Sequence, residues 1–157
     1  MLSWFAVAGV LVVGALMMSD GARAAPGPET LASARRIVLA DRPVEVRLDI
    51  QGGARRLASR PAGERLYLVL KDAQAAQPAG TLYRVSLGPA GEVVGSVNFF
   101  NAEPNRPRAY SFDVTEAVRN LSGNGSPADA LTVTIAPGGQ PNPGAKPTIG
   151  EIALVAQ

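Results

Sequence analysis

The feature that most constrains this chain is a series of short runs of β-forming residues, separated by glycine, proline, asparagine and aspartate. Closely spaced runs of this kind are typical of an all-β sandwich or barrel, because each turn signal ends one strand and allows the next to pair with it. Eight strands are predicted, at residues 37–39, 44–50, 65–71, 81–87, 92–99, 109–114, 131–136 and 149–155.

The side-chain pattern within these runs indicates how each strand is buried. In 44–50, apolar residues alternate with Glu45, Arg47 and Asp49, as expected of a strand with one face in the core and one in solvent. Residues 66–70 are apolar on both faces, and 92–100 are so in part, which predicts central strands covered on both sides.

One segment has helical periodicity. In 113–121, Val114, Val118 and Leu121 fall on one face of a helix, and Asp113 or Thr115 can cap its first turn. The predicted fold is therefore an all-β, antiparallel, jelly-roll-like β-sandwich of about eight strands with one short helix.

The N-terminal region predicts export. The first nineteen residues carry no charged side chain and would span about 28 Å as a helix, close to the thickness of a bilayer core. Ala22-Arg23-Ala24 resembles a signal-peptidase site, so 1–25 is either a signal peptide or a retained membrane anchor. Residues 26–36 suit a linker, and 37–157 form the predicted sandwich domain. We expect a periplasmic, secreted or membrane-anchored protein that faces away from the cytoplasm.

Composition argues against catalysis and against a resident cofactor. With no histidine and no cysteine, the chain lacks the imidazole bases, thiolates and metal ligands that most enzymes use. Its carboxylates show neither a calcium-loop spacing nor a recognisable acid–base pair. A net charge of +2 is too small for a nucleic-acid surface. We expect no enzyme activity, no cofactor or metal, no nucleic-acid partner, and membrane contact only through an uncleaved N-terminal segment.

Residues 110–115, Tyr-Ser-Phe-Asp-Val-Thr, resemble a motif of a known protein family. They resemble the Lys-Phe-Asp-Val motif of the C-terminal domain that follows the copper domain in polyphenol oxidases and bacterial tyrosinases, with Ser111 in the lysine position. Segments 80–87, 94–100, 131–135 and 147–154 follow the order seen in that domain. The resemblance extends over about residues 36–157.

The resemblance implies a β-sandwich that packs on a copper domain and, in latent enzymes, covers the active site. Because this chain has no histidine, it cannot supply a ligand to a type 3 copper pair. We therefore expect the domain without its copper domain, acting as a non-catalytic accessory that binds, shields or stabilises a His-rich, tyrosinase-like copper oxidase.

Two groups of residues are candidates for the functional surface. Phe112, Asp113 and Val114 of the family motif are expected to be structural, with Asp113 as a helix cap and the other two in the core. Phe99 and Phe100 lie on opposite faces of one strand, so one ring should be buried and the other available to a partner.

A second function remains open from the sequence. The domain could instead be an independent envelope module, either structural or carbohydrate-binding. Carbohydrate platforms commonly use exposed aromatic rings, and the only tryptophan, Trp4, lies in the apolar N-terminal segment. The structural form of this alternative is therefore favoured over the carbohydrate-binding form.

Overall fold

The computed structural model describes residues 27–101, 106–123 and 129–157, which fold into two antiparallel sheets of four strands each. The strands are β1 Glu29–Val38, β2 Val44–Asp49, β3 Leu66–Ala73, β4 Leu82–Leu87, β5 Glu92–Asn98, β6 Arg108–Asp113, β7 Ala130–Pro137 and β8 Thr148–Ala156. Two helices accompany them, α1 Gly53–Ala58 and α2 Thr115–Gly123. The predicted segment 1–25 lies outside the described residues.

The strand order is that of a jelly roll. The first sheet runs β1-β8-β3-β6 and the second β2-β7-β4-β5, so most connections cross from one sheet to the other. Among the described strands, only β4 and β5 are joined as a tight hairpin, at a turn where Gly88 has a φ of 70° that glycine adopts without steric cost. The predicted antiparallel, jelly-roll-like sandwich is confirmed.

The core fills the space between the sheets. Its largest fully buried side chains come from both sheets: Leu31, Leu48, Leu68, Leu70, Tyr83, Leu87, Leu131, Ile135, Ile149, Ile152 and Leu154. Leu68 and Leu70 lie on a strand predicted to be central, whereas Leu31 lies in the segment predicted to be a linker. Alternation along β2 places Val46 and Leu48 in this core and leaves Glu45, Arg47 and Asp49 exposed, as the sequence pattern predicts.

The prediction of a linker over 26–36 is wrong for most of that segment. Glu29 begins β1, which pairs along its length with β8, from Glu29 opposite Ala156 to Val38 opposite Thr148. The Glu29 carboxylate also forms ion pairs with Arg56 and Arg60, which lie in and just after α1. These long-range contacts stabilise a strand that the small residues of the segment do not predict on their own.

Helix α1 was not predicted from the sequence. Helix α1 has six residues, none of them buried, so it leaves no apolar periodicity in the sequence. A residue that is distant in sequence stabilises its first turn, because the N–H of Ala54 donates to Asp129 Oδ1 at 3.0 Å. Helix α2 begins two residues later than the segment predicted for it, and it buries Ala117 and Val118 at one end of the sandwich.

Candidate functional site

Phe99 and Phe100 follow β5, which ends at Asn98, so the prediction that both lie on one strand is wrong, but the two side chains do differ in exposure. Phe99 is 3% exposed and its ring meets Tyr83 edge-on at a centroid distance of 5.7 Å. Phe100 is 46% exposed. Phe99 is therefore buried in the core and cannot contact a partner. The Phe100 ring is accessible.

Phe112 of the family motif closes one edge of the sandwich. It points from β6 across to β5 in the other sheet, where a Cβ placed on Gly95 would lie 2.3 Å from two of its ring carbons. Tyr110 stacks beside it at 6.5 Å and donates its hydroxyl to the carbonyl of Asn98 at 2.7 Å. The half-buried Phe112 ring therefore fits because residue 95 has no side chain.

Asp113 organises the start of α2. Its Oδ1 accepts hydrogen bonds from the N–H and the hydroxyl of Thr115, at 3.0 and 2.6 Å, and its Oδ2 pairs with Arg65 at 2.9 Å. These bonds hold the pKa of the Asp113 carboxyl below its ordinary value, and the hydrogen bonds from Thr115 contribute most. Asp113 is thus a structural acceptor at the helix N-terminus.

Val114 joins the same region to β3. It is fully buried, its N–H donates to the carbonyl of Leu66 at 2.8 Å, and its own carbonyl accepts from Val118 in α2. The Thr115 hydroxyl in turn accepts from the N–H of Leu66 at 2.9 Å. Residues 113–115 therefore connect β6, β3 and α2 through hydrogen bonds.

An apolar patch lies on the outer face of the first sheet, and we call Tyr67, Val69, Ala153 and Val155 the outer patch. Tyr67 and Val69 are half-buried, whereas Ala153 and Val155 are 0% and 7% exposed, so the accessible part of the patch is Tyr67 and Val69. In β3 and β8 the residues Leu68, Leu70, Ile152 and Leu154 point into the core, so the residues alternating with them point outward. The register places Val69 opposite Ala153 and Tyr67 opposite Val155, which makes the four side chains contiguous.

The outer patch has charged pairs at both ends. At one end, Arg65 pairs with Asp113. At the other, Glu151 lies between Lys71 at 3.1 Å and Arg35 at 3.9 Å. An apolar centre with a polar margin is the usual anatomy of a protein interface.

The sequence predicted part of this surface. Residues 66–70 were expected to be covered on both faces, and the inner face of β3 is indeed buried in the core. On the outer face, however, Tyr67 and Val69 are only half-buried. The run Ile152-Ala153-Leu154-Val155-Ala156 in β8 carries the same two-sided apolar signal and could have identified the second half of the patch.

The described residues contain no group of three or more Asp, Glu, His or Cys that could hold a metal ion. None of the helices in these ranges is long and apolar enough to span a bilayer.

Searches of known proteins give a likeness of fold. A structure of recombinantly expressed latent aurone synthase, a polyphenol oxidase, matches 76% of this chain with a TM-score of 0.54 and 15% identity. A second structure of that enzyme, co-crystallised with hexatungstotellurate(VI), matches 84% with a TM-score of 0.53 and 15% identity. Latent aurone synthase from its natural source matches 84% with a TM-score of 0.50 and 16% identity.

The extent of the match is that of one domain. This chain spans about a quarter of the polyphenol oxidase chains, 25% in the first two cases and 26% in the third. No protein-family model and no curated protein matches the sequence. The resemblance drawn from residues 110–115 and the segments around them is confirmed at the level of the fold, which is that of a domain-sized part of a polyphenol oxidase.

Proposed function

We propose that this chain is a non-catalytic accessory domain that packs on a type 3 copper oxidase and shields or stabilises it. The fold matches a quarter of a latent polyphenol oxidase chain, which supports an accessory role. The absence of histidine from the sequence means that any copper ligands must come from the partner.

The observation that carries the proposal is the outer patch. An antiparallel sheet with one face in water normally alternates apolar and polar residues, and here the two central strands of the first sheet do not. The accessible part of the patch, Tyr67 and Val69, is apolar and rimmed by charged groups, and this supports a site that a partner covers. We place the oxidase against this face, with Tyr67 as the central aromatic anchor.

The charged pairs at the ends of the patch would affect how that partner associates. Each end offers both signs of charge, through Arg65 and Asp113 at one end and through Lys71 and Glu151 at the other. Rim charges of this kind affect the rate and specificity of association more than its affinity. We expect their removal to slow binding, and loss of the apolar centre to abolish it.

The test is copurification of the full chain with a tyrosinase-like copper oxidase of the same host, followed by oxidase activity with and without the chain. Val69→Glu places a charge in the outer patch. Val93→Glu is the matched control, since Val93 is 57% exposed on β5 in the other sheet. We expect Val69→Glu to weaken binding at least about tenfold, equivalent to ~1.4 kcal/mol, and Val93→Glu to leave it unchanged.

Two outcomes would contradict the proposal. Equal binding by the Val69→Glu and Val93→Glu variants would reject the outer patch, and a Phe100→Glu variant would then show whether the exposed ring forms the contact instead. Absence of any complex, with normal maturation of the oxidase in cells that lack this chain, would favour an independent envelope module.

The proposal also places the domain outside the cytoplasm, on the strength of the uncharged first nineteen residues. Cell fractionation, with sequencing of the mature N-terminus, tests this part separately. A signal peptide would leave a chain beginning near residue 25, whereas an anchor would keep the whole chain in the membrane fraction.

A further inference from the structure

The connection from β2 to β3 crosses from one sheet to the other and contains helix α1, and we call residues 52–64 the crossover segment. None of the residues of α1 is buried, and its Leu57 packs only in part against the core. Burial of apolar surface is the main favourable term in folding, and it contributes little here. Polar contacts therefore keep the crossover segment in place.

Glu29, the first residue of β1, attaches the crossover segment through both of its carboxylate oxygens. Oε1 forms an ion pair with Arg56 in α1, and Oε2 forms one with Arg60 just after the helix. Arg60 also pairs with Glu64 at 2.7 Å. The Glu29 carboxylate thus joins a strand that is paired within its sheet to a segment that packing alone does not fix.

Two further hydrogen bonds attach the ends of the crossover segment. The N–H of Ala54 donates to Asp129 Oδ1 at 3.0 Å, and Arg119 of α2 donates to the carbonyl of Ala62 at 2.7 Å. The first contact precedes Arg56 and the second follows Arg60. The stretch 55–60 between them therefore depends on the Glu29 carboxylate.

The closed arrangement of the crossover segment leaves polar atoms unsatisfied. Arg60 Nε and Glu64 Oε2 are buried and have no hydrogen-bond partner within the part of the chain that the structure describes. Both residues line a cavity of about 200 Å³, together with Leu57, Leu66 and Val118. Water would satisfy the two polar atoms if the segment moved away, and a void forfeits packing contacts. These features lower the free energy needed to detach the segment.

The charges around Glu29 make its contacts sensitive to acid. Arg60 and Arg56 face the carboxylate, and their hydrogen bonds, with that of Arg60 the larger, lower the pKa of Glu29. Glu64, Asp129 and Arg119 contact other parts of the crossover segment. The stabilisation from Glu29 is complete above the ordinary pKa of a glutamate and is lost as the pH falls through the lower folded-state pKa.

We propose that Glu29 is an acid-sensitive latch, and that neutralising its carboxylate detaches residues 55–60 while the two sheets remain folded. Strand β1 stays in place because it pairs with β8 along its length. Detachment opens the cavity that is lined by Leu66 and Val118, which are 7% and 2% exposed in the closed form. This inference does not depend on the proposed oxidase partner.

The experiment measures amide hydrogen exchange of the full chain by NMR, as the protection of each amide relative to its intrinsic rate. The amides of Ser59 and Arg60 report on the crossover segment, because they donate to the carbonyls of Arg55 and Leu57 within it. The amide of Leu39, which donates to Pro147, reports on the opposite end of the sandwich.

In Glu29→Gln we expect the protection of Ser59 and Arg60 to fall about fivefold, as for the loss of two partly exposed ion pairs, with Leu39 unchanged. Lowering the pH from about 6 to about 3 should cause a similar fall in the unaltered protein and a much smaller one in the variant. Arg56→Gln removes one of the two ion pairs from the other side and should give a smaller fall at the same amides.

Glu45→Gln is the matched control, because Glu45 is exposed on β2 in the other sheet. It should leave the protection of all three amides unchanged. Unchanged protection of Ser59 and Arg60 in Glu29→Gln would overturn the latch, and an equal fall at Leu39 would show general destabilisation in place of local detachment. A fall with acid that is as large in Glu29→Gln as in the unaltered protein would overturn Glu29 as the acid-sensitive group.

Discussion

Replacing Gly95 by alanine tests whether Phe112 closes the sandwich edge in the way described. The new methyl group would lie 2.3 Å from two carbons of the Phe112 ring, whereas carbon atoms pack at about 3.5–4.0 Å. The ring or strand β5 must therefore move by about 1.2 Å, taking the shorter packing distance. Overpacking of this kind costs about 1–3 kcal/mol, and we expect ~2 kcal/mol because β5 is an edge strand that can yield in part.

A double-mutant cycle assigns the cost to this contact. Phe112→Ala removes the ring, so a second change of Gly95 to alanine should add almost nothing. The two changes should then be non-additive by at least about 1 kcal/mol. Urea unfolding followed by circular dichroism gives the free energy of unfolding for each variant, with the slope m checked for constancy.

Gly63→Ala is the control for the loss of a glycine. A methyl group there would meet no atom within 4 Å, so it should change the free energy of unfolding by less than about 0.5 kcal/mol. Any change should be a slight increase, because alanine lowers the conformational entropy of the unfolded chain. If Gly95→Ala is as stable as Gly63→Ala, or if the two changes in the cycle simply add, the proposed packing of Phe112 on residue 95 is wrong.

Two further predictions concern hydrogen bonds. Asp113→Ala should lower the free energy of unfolding by about 1 kcal/mol at pH 7, measured in urea, because it removes the acceptor at the start of α2. The folded-state pKa of Asp113 lies below its ordinary value, so this stabilisation is complete above about pH 4 and is lost as the pH falls through the folded pKa. A difference between the two proteins that stays constant down to pH 2 would contradict this assignment. Tyr110→Phe should cost ~1 kcal/mol, whereas Tyr83→Phe should cost nothing or stabilise slightly, because only the Tyr110 hydroxyl has a hydrogen-bond partner among the described residues. Thermal melts of both variants check this, and equal losses would refute it.

The strands were predictable from the sequence because their signals are local. Alternation in 44–50 and the turn glycines around β4 and β5 place those elements within a few residues of their observed bounds. Helix α1 and the first part of β1 were not predictable, since both depend on distant partners: Asp129 for the helix, and β8 with Arg56 and Arg60 for the strand.

The candidate sites were predictable only in part. Strand geometry predicted that Phe99 and Phe100 would differ in exposure, but β5 ends at Asn98, and Phe99 is the buried ring because it packs against Tyr83. The outer patch needed the register between β3 and β8.

The pairing of β1 with β8 also determines how the domain responds to force. Glu29 lies opposite Ala156, so both chain ends leave the fold at the same end of one sheet. Tension applied between residues 28 and 157 would act across the hydrogen bonds of β1 and β8 one pair at a time, as in opening a zipper, rather than loading all of them together in shear.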